Sequence, residues 1–97
     1  MLETLTKENW TKYLGENFQV DAGNFGSLVM KLAAVSGYGQ RQGGNREAFS
    51  LLFCGPLRPV LPQHIYRIGH AGIGELDIFL VPVGPQVDGL GYEAVFT

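Results

Sequence analysis

Several groups of residues in the sequence are of types that can do chemistry, and each has to be weighed against the plainer role the same residues play in a small domain. The segment Gly37-Tyr38-Gly39-Gln40-Arg41-Gln42-Gly43-Gly44 would let backbone N–H groups approach an anion, with Arg41 or Arg46 closing on it. A phosphate loop, however, follows a strand and opens a helix, and here a strand-like run follows, so a flexible hairpin loop is expected. His64, His70 and Asp77 are metal-ligand types, yet the six-residue step between the histidines fits neither a helical nor a hairpin ligand spacing. A histidine in a β domain more often hydrogen-bonds backbone or carboxylate, and His70, beside a turn, is expected to pin that turn.

Cys54 lies in an apolar run, where burial raises the thiol pKa and leaves it inert. Glu75 and Asp77 share a strand face next to a turn and are expected as a solvated pair, not as an acid–base couple. The run Pro56-Leu57-Arg58-Pro59-Val60-Leu61-Pro62 has the preorganised form that aromatic grooves bind. Because strand-like sequence flanks it on both sides, a polyproline-like connector inside the fold is the expected role. No catalytic residue, metal site or cofactor follows from these groups.

The elements that would position them can be read from periodicity. Thr6 to Gly15 reads as a helix: Thr6 caps it, Glu8 suits its positive end, Gly15 ends it, Leu5 and Trp10 occupy staple positions, and Trp10, Tyr13 and Leu14 form an apolar stripe. From Phe18 the period becomes two, giving a strand to Asp21, a corner at Gly23-Asn24-Phe25-Gly26, and a second strand from Leu28 to Val35. The loop Ser36 to Arg46 leads to a strand from Ala48 to Cys54, with Phe49, Leu51 and Phe53 on one face. Ile65 to His70 and Glu75 to Val83 flank the turn Ala71-Gly72-Ile73-Gly74, and Tyr92 to Phe96 follows a break at Gly84-Pro85 and Gly89. Every connection is too short for a crossover helix, so the expected fold is mainly β: a small antiparallel β barrel or sandwich of about six strands with one short N-terminal helix.

The 97 residues suit a single domain spanning 1–97. With 45% hydrophobic and 16% charged residues, the chain has few charges to cover its surface, which leaves apolar area for a partner. A net charge of −2 without a Lys/Arg cluster argues against nucleic acid. Glu3 in place of a basic leader, no apolar run long enough to span a bilayer, and a single cysteine make a soluble, cytoplasmic protein the expectation, with no membrane association.

From Phe49 onward the sequence resembles a family of short bacterial proteins of unknown function. The matching features are Phe49, Leu52 and Phe53 before Gly55-Pro56; Leu61-Pro62-Gln63, Tyr66, His70 and Gly74; Phe79-Leu80-Val81-Pro82-Val83-Gly84; and Tyr92-Glu93-Ala94-Val95-Phe96. Genes of that family often lie near those of phage-tail-collar-like or fibre-like proteins, so the resemblance implies a part in building such an assembly. It supplies no catalytic residues. Gln63, Tyr66, His70 and Glu93 are its polar positions and are expected as a buried network.

The expectation is a non-enzymatic interaction module that docks on another protein, such as a fibre- or tail-collar-like one, through exposed apolar strand surface or an unpaired edge. Arg41, Arg46 and Arg58 would lie on its adaptable rims. A small-ligand site or minor enzyme in a barrel mouth, built from His70, Tyr66 and Glu93, stays open, as does a self-associating structural protein.

Overall fold

Thr6 starts the chain's helix with a reciprocal cap: its Oγ1 accepts the Asn9 N–H at 3.2 Å while Asn9 Oδ1 accepts the Thr6 N–H at 2.8 Å. The resulting helix α1 is short, Lys7–Thr11. It stops before the expected Gly15 because the next segment is captured by a strand, with the Gly15 N–H donating to the Leu32 carbonyl and the Leu32 N–H to that of Glu16. Leu14 is therefore exposed, while Trp10 is fully buried and Leu5 and Tyr13 pack against the core. The structure, a computed structural model, describes residues 5–40 and 47–96.

Six strands follow: β1 Asn17–Asp21, β2 Ser27–Gln40, β3 Glu47–Gly55, β4 His64–His70, β5 Gly74–Gln86 and β6 Gly89–Phe96, with a 3-10 turn at Gly23–Phe25. All the pairings are antiparallel, and the order β1-β2-β3-β6-β5-β4 closes on itself through β1 and β4. The barrel alternative is thus the fold, and the sandwich is not. The expected loop Ser36 to Arg46 is also corrected, since β2 runs on to Gln40, paired with β3 through a register shift between Gly37 and Gln40; Arg41 and Arg46 lie outside the described residues. Likewise β5 continues through the expected break at Gly84-Pro85 and turns only after Gln86.

Of three register shifts among the described residues, two let these long strands stay amphipathic as they bend. On β2, Met30 and Leu32 point inward; the shift between Leu32 and Ala34 inserts a residue, so that Val35, opposite Leu51, is the next to face the core. On β5 the shift between Pro82 and Gly84 leaves Val83 outside, and Gly84 takes φ +102°, a left-handed conformation suited to glycine. Bulges are where a proline can sit inside a strand.

The interior is filled by Phe18, Met30, Leu32, Phe49, Leu51, Phe53, Ile68, Ile78 and Leu80, with Trp10 packed against Phe18, Phe53 and Phe96 at ring separations of 6.0–6.5 Å. The connector between β3 and β4 also enters it: the chain bends at residues 57–59, the Arg58–Pro59 peptide is cis, and Leu61 is wholly buried. The bend and the buried Leu61 make it an anchored loop.

Two tyrosines satisfy the backbone groups this anchoring buries. Tyr92 Oη accepts the Leu61 N–H at 2.9 Å, and Tyr66 Oη donates to the Pro62 carbonyl. Replacing Tyr92 with phenylalanine strands the Leu61 N–H, so a loss of about 1–3 kcal/mol is expected in urea denaturation. An unchanged midpoint would show that the connector is held by apolar packing alone.

Candidate functional site

The residues singled out from the sequence do not converge. Tyr66 is buried and holds the connector, and burial, reinforced by the neighbouring Tyr92, raises its hydroxyl pKa. Gln63 and Arg58 are exposed on the connector. Glu93 is half-buried on the outer face of β6, opposite Leu52 and Val81.

His70, at the far end of β4 from the connector, has a role of its own. Its Nδ1 accepts the Gly72 N–H at 2.8 Å and its Nε2 lies 2.6 Å from Glu16 Oε1. With Nδ1 occupied as an acceptor, the proton sits on Nε2 and is donated to Glu16. The ring packs on Tyr13 and Phe18 at 4.9 and 4.7 Å. His70 thus pins the β4–β5 turn, as its sequence position suggested, and fastens it to the segment after α1. The expected buried network of Gln63, Tyr66, His70 and Glu93 is not formed: Tyr66 bonds the Pro62 carbonyl, His70 bonds Gly72 and Glu16, Gln63 is exposed on the connector and Glu93 lies on the outer face of β6. The barrel-mouth constellation of His70, Tyr66 and Glu93 is not assembled for the same reason.

Cys54 is buried beside the Lys31–Asp88 ion pair, and its pKa is raised by burial and by Asp88, with Lys31 opposing. Among the described residues no group of His, Cys, Asp and Glu side chains is placed to hold a metal ion. No described helix is long and apolar enough to cross a membrane.

What the fold does bring together is a band on the outside of β4, β5 and β6. Ile65 on β4 stands directly opposite Phe79 on β5, and Phe79 shares a shallow groove with Val95 and Phe96 of β6. Ile65, Phe79 and Val95 are 58%, 50% and 54% exposed. A second, open groove of about 650 Å3 meets the first at Ile65 and Asp77 and extends past His64 to Phe25 on the 3-10 turn. Beside the apolar row runs a charged one, in which Arg67 Nε donates to Asp77 at 2.7 Å and its Nη1 to Glu75 at 3.4 Å, while Asp21 is its cross-strand neighbour on β1. These charges make Arg67 hold its proton more firmly than usual, chiefly through the hydrogen bond to Asp77.

The Glu75/Asp77 pair is solvated, as its spacing suggested, but the row around it escaped sequence reading. Its signal was present in the alternation of β5: Glu75, Asp77 and Phe79 share the outer face, and only the aromatic member breaks its polarity. Ile65 and Val95 carry no such mark, because inward and outward aliphatic residues look alike until the register across three strands is known. The arrangement offers recognition: a flat apolar strip beside an acidic one.

No curated protein and no solved structure matches the chain. The profile of the family described as domain of unknown function DUF6916 matches residues 5–96, which take in α1 and all six strands, and the chain belongs to that family.

Proposed function

We propose that this domain is a non-enzymatic protein-interaction module that docks through the outer face of β4, β5 and β6. The observation that carries the reading is the alignment of Ile65, Phe79 and Val95, each at least half exposed, on neighbouring strands. Single exposed apolar residues are ordinary, whereas an adjoining row along grooves rimmed by charge is what protein contact surfaces present. In the form that the family resemblance implies, the partner is a component of a fibre- or tail-collar-like assembly, met in the cytoplasm. A self-associating domain is the competing outcome.

The test is gentle capture of the tagged protein from its native cells followed by native mass spectrometry, with wild type and Phe79→Lys side by side. Wild type is expected to bring a stoichiometric partner and Phe79→Lys to lose it, with affinity falling by about thirtyfold or more, the loss of roughly 2 kcal/mol typical of a central contact. Phe79 being on the surface, folding stability should change by only about 0.5 kcal/mol. A bare wild-type monomer, or one that carries only a small molecule, would remove docking as the function.

A further inference from the structure

The seam between β5 and β6 is not zipped along its whole length. Their ladder runs from Val81 opposite Glu93 to Gln86 opposite Gly89. The leading half of β5, from Gly74 to Leu80, pairs with β4, and the last residues of β6, Ala94 to Phe96, pair with β3. Among the described residues, the facing edges of these two stretches have no ladder partner. Between them lies a groove of about 400 Å3, walled by Asp77, Ile78 and Phe79 on one side and Ala94, Val95 and Phe96 on the other. A barrel whose strand order closes therefore keeps a short local edge, and a strand edge is a template for another chain.

We infer that this seam receives an extended segment of a partner protein, added as a strand to the edge of β5, and that the segment alternates apolar with basic residues. The inference rests on the docking reading above and names what docks. The alternation follows from the pleat: Glu75, Asp77 and Phe79 face outward on β5 while Leu76, Ile78 and Leu80 face inward. A strand laid alongside repeats that order, with one set of side chains turned toward the apolar walls of the groove and the other standing beside the two carboxylates and Phe79.

The charge comes from the outer row. Arg67 serves both Glu75 and Asp77, so two carboxylates share one guanidinium, and Asp21, the residue opposite Arg67 on β1, adds a further acidic group to the row. The outward positions of the added strand that fall beside Glu75 and Asp77 are thus suited to Lys or Arg. A second copy of this chain fits poorly, since two β5 edges meeting would set acidic row against acidic row. Main-chain hydrogen bonds would hold the segment, and the side-chain alternation would select it.

The experiment is selection from a random dodecapeptide library on the immobilised full chain, followed by amide hydrogen exchange with the enriched peptides. The expected result is enrichment of alternating apolar and Lys/Arg sequences that slow exchange in Glu75–Leu80. Their binding should weaken on the order of fivefold in Asp77→Lys and fall with rising salt. Phe79→Lys and Val95→Lys should both abolish it, and retained melting temperatures show that each variant is folded. Peptides that depend on Phe79 but lack basic residues, or leave β5 exchange unchanged, would overturn strand addition while the docking reading stands. If no enriched peptide responds to either substitution, both readings fall. A wild-type dimer that itself protects Glu75–Leu80 would overturn the foreign-strand inference in favour of self-association.

Discussion

Trp10→Ala is expected to remove about 3–5 kcal/mol of folding stability, the usual cost of truncating a fully buried indole. For a domain whose total stability is of order 5–15 kcal/mol, that is a large share. At roughly 4–8 °C per kcal/mol, it corresponds to a melting point lower by at least about 12 °C. The reason lies in how a five-residue helix is used. Too short to persist alone, α1 serves to carry Trp10 onto Phe18, Phe53 and Phe96. The indole Nε1–H is buried with no acceptor among the described residues, so the side chain contributes through packing. Thermal melts by circular dichroism check this, and a variant melting within a few degrees of wild type would show that the barrel is closed without its helix.

Gly89→Ala should be nearly as damaging. Gly89 begins β6 at φ +143°, and a Cβ there would overlap the carbonyl oxygen of Gly55 on β3. Backbone strain alone costs about 1–3 kcal/mol, and relieving the overlap requires β6 to move away from β3, so a total of about 3 kcal/mol or more is expected. Gly84→Ala is the control, because that position also has a left-handed φ, +102°, but no atom near an added Cβ. The difference between the two variants in chemical denaturation isolates the steric part. Equal losses would mean that β6 accommodates the methyl group and that conformation alone demands glycine at both positions.

Much of the barrel was legible because its strands alternate cleanly. Phe49, Leu51 and Phe53 on β3, and Leu76, Ile78 and Leu80 on β5, announce their buried faces by spacing alone. What spacing could not announce was where alternation is interrupted. A single inserted residue after Leu32 reverses the parity of β2, and Gly84-Pro85 resembles a turn although it lies within a bulged strand. Helix length failed for a different reason: Gly15 suits a helix end, but pairing of Gly15 and Glu16 with Leu32 takes over earlier, and such long-range competition leaves no local trace.

The candidate site was legible only in fragments. His70 pinning a turn and Glu75 with Asp77 lying in solvent follow from local rules, and both are seen. The docking band depends on Ile65, Phe79 and Val95 standing side by side, which is a property of register between strands distant in sequence. Polar residues such as Gln63, Tyr66 and Glu93 attracted attention because polarity stands out in an apolar sequence. In the fold, Tyr66 proved structural, Gln63 surface and Glu93 part of the outer wall.

The burial of Cys54 gives the molecule a built-in clock. It is the chain's single cysteine, it sits on β3 between Lys31 of β2 and Gly91 of β6, and its raised pKa keeps the reactive thiolate scarce. A thiol reagent therefore reaches it when the side chains that cover it on the outer face of β3 move aside, and the rate of labelling times that uncovering without any engineered probe.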